Sequence, residues 1–276
     1  MWRSTWRRFR RSRLALVALI YVAVVTLMAA AAPLVAPFAP DHVDLASRLR
    51  PPDAVHRFGT DDLGRDVLSR MIHGARVSLT VGLLATAISL GIGSLLGALA
   101  GYYGGAADWV VSRVIEVVLC FPFLILNLAI VALFGPSLYT IMIALGLTSW
   151  TTEARFVRGE FLRLREMEFA HAARASGARD ARIMLRHLLP NALAPVLVSA
   201  SFGVASAILT ESALSFLGFG VPLPTATWGS ILSAAEQYIE FAWWLALFPG
   251  VAIFLTVAAF NVIGDRFRDA LDPRAE

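Results

Sequence analysis

The residues best suited to do chemistry in this 276-residue chain lie between positions 151 and 190. This polar, Arg-rich stretch sits between long apolar runs. Its core reads Glu168-Phe-Ala-His-Ala-Ala-Arg-Ala-Ser-Gly177, followed by Leu189-Pro190-Asn191. The chemistry these residues offer is recognition rather than bond-making. Ala170, Ala172, Ala173 and Ala175 give a short helix with a thin face, which can seat deeply in a groove of another protein. Gly177 permits the left-handed conformation that ends a helix, and Pro190 limits continuation of helix from the residue before it. The pattern predicts a rigid helix over 167–177, bounded by turns and tied at both ends to longer helices. Such a segment is suited to bind a soluble partner; the bland alternative is a solvated amphipathic loop.

No catalytic constellation accompanies it. Ser215 lies in Leu-Ser-Phe-Leu-Gly, which is not a G-x-S-x-G elbow. His42, His56 and His73 share a polar segment with Asp61, Asp62 and Asp66. They lack H-x3-H or similar metal-ligand spacing, so no metal is expected. Gly91-Ile-Gly93 lies inside an apolar helix and not after a strand, which removes the dinucleotide reading. All 24 basic residues are Arg. With no Lys, the phosphate-binding loop G-x-x-x-x-G-K-(S/T) cannot be present, and the chain is not itself a P-loop ATPase. No cofactor is expected. Glu211 lies near the end of an apolar run, where an ionisable group is costly and faces a cavity or a partner. Two readings stay open: it lines a substrate path or closes an outer gate, or it snorkels or pairs with a neighbouring helix. Asn127 and Asn261 are expected as interhelical hydrogen-bond glue. The single Cys120 cannot form an intrachain disulfide and is expected to be a buried apolar thiol.

The elements that must position these residues are membrane helices. The chain is 58% hydrophobic and 16% charged, with a mean hydropathy of +0.68, against about a quarter charged in ordinary globular domains. The expected fold is all-α with six transmembrane helices. A cytoplasmic tail, 1–13, precedes a first span over 14–36. Leu14–Ala32 is uncharged and longer than a typical signal-peptide core, and about 20 residues cross ~30 Å of hydrocarbon. An uncleaved span is therefore preferred, although Ala29–Ala32 resembles a cleavage site. Residues 37–76 form an outer loop kept irregular by Pro37, Pro40, Pro51 and Pro52. A five-helix core over 77–264 contains the 151–190 loop, and 265–276 is a second tail.

Within the core, span two is expected at Val77–Ala100. Gly93, Gly97 and Gly101 give it one smooth face for close approach of a neighbour. Gly101–Asp108 is a short turn, and span three runs to about Phe134 with a kink at Pro122. Arg113 and Glu116 are spaced to pair. Gly135-Pro136-Ser137 is a tight connection. Span four, Ser137–Trp150, is long enough only if its helix continues through Thr151–Arg165. Span five is Ala192–Leu214, residues 215–240 are a polar connection, and span six is Phe241–Ile263 with Trp243 and Trp244 at one interface.

Arg counts set the orientation. Six Arg precede span one, eight lie in 151–190 and three follow span six. The 135–137 and 215–240 connections carry none. The positive-inside rule then places both termini and the 151–190 loop in the cytoplasm. The six Arg of 37–76 fit less well, but six Asp offset them. This clustering beside spans fits membrane lipid as the partner and not nucleic acid.

The loop resembles the E-A-A-x3-G-x9-I-x-L-P motif of permease subunits of ATP-binding-cassette importers. Ala172, Ala173, Gly177, Leu189 and Pro190 match; His171 stands for the glutamate and His187 for the isoleucine, with Glu168 one turn earlier. Glu153–Arg158, Arg165-Glu166 and Arg186–Asn191 are similar to the dipeptide/oligopeptide/nickel branch. So are Phe58–Asp66, Leu209–Gly218 with Trp228-Gly229, and Asn261–Asp265 with Arg268–Pro273. The long loop after span one resembles that branch's second permease subunit. The resemblance implies a type I permease fold in a bacterial inner membrane. It also implies a homologous second permease, two cytoplasmic ATPase subunits and an extracytoplasmic binding protein. Glu168, His171, Ala172, Ala173, Gly177, Leu189 and Pro190 would couple to the ATPases. The implied cargo is a di- or oligopeptide, with nickel or another small polar solute as alternatives.

Two other classes make different demands. An ion-driven secondary transporter or channel should carry intramembrane charge pairs or inverted repeats. An intramembrane hydrolase should carry a polar catalytic pair at mid-span. The sequence shows neither pattern.

Overall fold

The computed structural model describes residues 8–10 and 12–271; most of the Arg-rich tail and the last residues of Arg268–Pro273 lie outside them. The described chain is helical, with a single isolated bridge between Thr60 and Asp66. The long helices are α1 (Arg13–Ala30), α2 (Val67–Tyr103), α3 (Gly105–Leu119), α4 (Phe123–Phe134) and α5 (Leu138–Arg165). After the short α6 (Glu168–Ala175) come α7 (Leu189–Leu214), α8 (Trp228–Ala234) and α9 (Trp244–Leu271). Among the described residues, α1, α2, the run Pro195–Phe219 and α9 are long and apolar enough to cross a membrane. The pair α3–α4, bent by 82°, makes a fifth crossing if counted as one span. A sixth rests on α5, whose first half is apolar and whose second half carries Glu153, Arg155, Arg158, Glu160, Arg163 and Arg165.

The smooth face of α2 lies against α5. A Cβ on Gly93 would sit 2.5 Å from Glu153 Cβ, and one on Gly101 would sit 2.7 Å from the Arg158 carbonyl oxygen. Backbone contact this close is open only to glycine. The α2–α5 pair is the spine of the bundle, and α7 packs on both helices. As the 151–190 pattern requires, α5 runs unbroken from Leu138 into its polar half.

Several boundaries differ from expectation. Helix α2 starts at Val67 and not Val77, because Asp66 caps it by accepting the Ser69 amide and hydroxyl at 2.8 and 2.7 Å. Polar residues of its first turns are internal: Arg70 is buried 3.4 Å from Asp61 and donates to the Pro40 carbonyl. Alanine at Asp66 is expected to lower the melting temperature of the detergent-solubilised protein, at a cost of about 1–2 kcal/mol for the lost cap. A melting curve unchanged by that substitution would remove the cap from the account.

The segment before α2 is folded and not an open loop. Asp61 holds Arg65 at 2.7 Å, Asp66 lies 3.0 Å from His56, and the Trp244 indole donates to the Thr60 carbonyl at 3.0 Å. Phe58 stacks on Phe248 with centroids 3.9 Å apart. Trp244 is therefore an internal anchor, while Trp243 stays exposed as an interfacial ring would. Hydrogen bonds from the Ser47 hydroxyl and the Ala46 amide hold the Asp44 carboxyl below the usual carboxylate range.

The turn after α2 is tighter than Gly101–Asp108. Gly104 and Gly105, both at positive φ (65° and 50°), reverse the chain and α3 begins at once. Pro122 breaks the helix outright instead of kinking it. Cys120, at that break, is exposed and not buried, because the chain bends by 82° there and leaves Leu119 and Phe121 exposed beside it. Residues 215–240 contain α8, started by a reciprocal Thr227/Ser230 capping box. Helix α9 continues past Ile263 to Leu271. Asn127 bridges α4 to Thr148 of α5 at 3.2 Å, as interhelical glue.

Candidate functional site

The 151–190 loop folds into a short helix fixed to the bundle on one side only. After α5 ends, Glu166 and Met167 turn the chain and α6 begins at Glu168. Ala170 is fully buried among Phe161, Leu164, Ile183 and Leu188. Glu168, His171, Ala172, Arg174 and Ala175 are exposed, and Ala173 is half-buried. The alanines thus do two jobs: Ala170 lets α6 lie close on the bundle, and Ala172 keeps the outer face thin.

Gly177 ends α6 at φ 74°. The Gly177 amide donates to the Arg174 carbonyl at 2.9 Å and the Ala178 amide to the Ala173 carbonyl at 3.1 Å. This is the Schellman pattern of paired 5→2 and 6→1 hydrogen bonds. Ala173 and Ala178, the residues that pattern brings together, both pack on the same buried cluster. Two further contacts tie α6 and the segment after it to the end of α2. The Arg174 guanidinium lies 5.7 Å from the centre of the Tyr102 ring, and the Tyr102 hydroxyl donates to Asp180 at 2.7 Å. Arg165 donates to the Gly101 carbonyl at 3.0 Å. The contacts of α6 and its flanking residues thus reach both α2 and α5.

Pro190 does not end a helix. Residues Ile183–Leu188 form a wide turn with π-type spacing that runs directly into α7, and Pro190 sits in the first turn of α7. Proline has no amide to donate there, and wide turns of this type occur where the ordinary ladder is interrupted. Leu189 is half-buried against the cluster beneath α6, while Pro190 is exposed. The structure thus gathers Glu168, His171, Ala172, Ala173 and Gly177 on one small element, and places Leu189 and Pro190 at the root of α7.

Glu211 lies apart from this element, fully buried near the end of α7. Its Oε1 accepts the Ser215 hydroxyl at 2.8 Å, and its Oε2 lies beside Thr227 without a well-formed hydrogen bond. The adjoining Ser212 and Ser215 touch Gly229 of α8. The residue thus sits beneath α8.

One buried carboxylate was not singled out from the sequence. Glu153, in the middle of α5, is 5% exposed and accepts the Ser199 hydroxyl of α7 at 2.7 Å. It lines a cavity of about 350 Å³ between α2, α5, α7 and the α3–α4 break. The available signal was an acid one turn beyond the uncharged stretch of span four, within Thr148–Glu153 where hydroxyls cluster.

Comparison with known proteins gives these features a family. Residues 93–276 match the binding-protein-dependent transport system inner membrane component family, and residues 1–52 match the N-terminal TM domain of oligopeptide transport permease C. The chain is 44% identical to the dipeptide transport system permease protein DppC of Alkalihalophilus pseudofirmus, over 99% of this chain and 90% of that one. It is 38% identical to the oligopeptide transport system permease protein OppC of Bacillus subtilis, over 99% of this chain and 90% of that one. In fold it is similar to an inward-facing structure of the MetNI methionine ABC transporter, with a TM-score of 0.58 and 22% identity over 73% of this chain and 96% of that one. The chain belongs to the binding-protein-dependent transport system inner membrane components, the multi-pass permease subunits of ABC importers, whose ATP hydrolysis is carried out by separate subunits.

Proposed function

We propose that this permease forms half of a translocation path for short peptides, beside a homologous second permease, and is driven through α6 by two cytoplasmic ATPase subunits. An extracytoplasmic binding protein delivers the cargo to the side bearing the folded 37–66 segment. The chain crosses the membrane six times with both termini in the cytoplasm, as its Arg distribution favours. Glu168, His171, Ala172, Ala173 and Gly177 form the surface that meets the ATPase, and Leu189 and Pro190 carry its movement into α7. Closure of the ATPase dimer on ATP pulls α6, and the bundle rocks between inward- and outward-facing states. Nucleotide and cargo sites are distinct, and both bias one two-state assembly. Glu211, buried beneath α8, acts as an outer-gate contact.

The observation that carries this reading is the asymmetry of α6: one face rooted in the α2–α5 spine, the other exposed and thin. The peptide cargo rests on likeness to dipeptide and oligopeptide permeases across nearly the whole chain. Uptake of a labelled dipeptide into vesicles carrying the complete assembly tests it. ATP-dependent accumulation that requires the binding protein is the expected result. Accumulation driven by an ion gradient without ATP would return the chain to the secondary-transporter class.

A further inference from the structure

The cavity beside Glu153 holds a carboxylate that the coupling role does not use. Glu153 is nearly buried, yet among the described residues it forms no ion pair, and its one hydrogen bond there is from the Ser199 hydroxyl to Oε2. Among the described residues Oε1 has no partner, and it is not sealed inside the protein as Glu211 Oε2 is. It lies toward Gly203, where a Cβ would come within 3.8 Å of it. The cavity wall carries no Arg or His. Its other polar members all carry hydroxyls, among them Thr86 and Ser89 deep on α2, Ser199 on α7, and Thr152 and Ser206 exposed at the rim. Phe202 supplies an aromatic wall.

A buried carboxylate is stabilised by a cation or by several donors, and this one has a single neutral donor. Thr86 spends its hydroxyl proton on the Gly82 carbonyl, so it presents an acceptor to the space. A carboxylate, hydroxyl oxygens and an aromatic face are together complementary to an ammonium group. The volume, about 350 Å³, is within the range of small-ligand sites.

We propose that Glu153 is a cargo-binding residue: its free Oε1 receives the protonated amino terminus of a peptide passing through this cavity. The proposal rests on the peptide-importer reading and adds to it the chemical group that the permease itself recognises. It places discrimination inside the membrane subunit, on the helix that supports α6: Glu153 lies on α5, whose far end carries Phe161 and Leu164 beneath Ala170. Occupancy of the cavity would then be felt by α5 directly.

The test uses the complete assembly in vesicles. Dicyclohexylcarbodiimide modifies carboxyl groups in apolar surroundings, and its adduct on Glu153 can be quantified by mass spectrometry. Dialanine is expected to protect Glu153 from modification at concentrations where N-acetyl-dialanine does not. In parallel, Glu153→Gln, which keeps the Ser199 hydrogen bond, is expected to lower dialanine uptake at least about tenfold, the scale of a lost charged hydrogen bond, with as much assembled complex in the membrane as wild type. Equal protection by both compounds, or none, overturns the proposal. So does normal uptake by Glu153→Gln. A fall in assembled complex that matches the fall in uptake would assign Glu153 to helix packing and also overturn it. Wild-type assemblies that import no peptide would overturn the transport reading itself, which separates that failure from this one.

Discussion

Leucine at Gly97 is expected to prevent α2 and α5 from packing and to abolish stable accumulation of the protein. The Cβ of any larger residue at Gly97 would overlap the Ala154 carbonyl oxygen and stand 3.0 Å from Val157 Cβ. The obstacle is mostly backbone, so no rotamer change relieves it. Overpacking of a well-filled core costs about 1–3 kcal/mol and more when backbone must move. Here the strain falls on the helix pair against which α1, α3, α4, α7 and α8 pack. Gly91 is the control within the same helix, since a Cβ there meets nothing within 4 Å. Gly91→Leu is expected to be neutral, or stabilising by up to about 1 kcal/mol through helix propensity. Membrane yield and melting temperature of the two variants check this. Equal stability of both would contradict the close packing of α2 on α5.

Valine at Gly177 is expected to uncouple transport without disturbing the bundle. Nothing lies within 4 Å of a Cβ at this position, so sterics with neighbours play no part. The penalty comes from φ 74° alone. Left-handed backbone costs an ordinary residue about 1–2 kcal/mol and a β-branched one more. The cheapest escape is to open the Schellman turn, which releases Ala178 from the buried cluster and lets α6 swing. One or two kcal/mol shifts a two-state balance by about 5–30-fold, and peptide uptake should fall by a factor in that range. Asparagine tolerates the same φ and should retain most uptake. Membrane insertion and ATPase binding should be normal in both variants. Normal uptake by Gly177→Val, with the ATPase still bound, would refute the coupling role.

The sequence disclosed elements where one physical rule acted alone. Gly93, Gly97 and Gly101 sit one turn apart on one face, and that spacing has no purpose except close approach. Gly177 had to be a left-handed stop because it follows an alanine-rich helix. The apolar runs disclosed their helices because hydropathy decides membrane insertion. The misplaced boundaries lie where polar residues are internal. Val67 starts α2 because Asp66, Arg70 and Asp61 satisfy one another across turns, which no linear window can detect. Cys120 was misplaced by a rule from water-soluble proteins, where apolar means buried. Pro190 was misplaced because a wide helical turn preceding it removes the need for its missing amide. Glu153 stood only as the start of a branch-like stretch, because it is a single acid whose significance depends on α2 and α7 closing around it.

The central claim is that α6 is the contact through which a separate ATPase moves this bundle. Cysteine at Ala172, in a Cys120→Ser background, places one reactive thiol on the thin exposed face of α6. In the complete assembly, a short bifunctional crosslinker should join this position to the ATPase subunit, with a yield that changes when ATP binds. A thiol at Ala172 that never captures the ATPase, or that is labelled by an impermeant reagent from the outer face of intact cells, would contradict it.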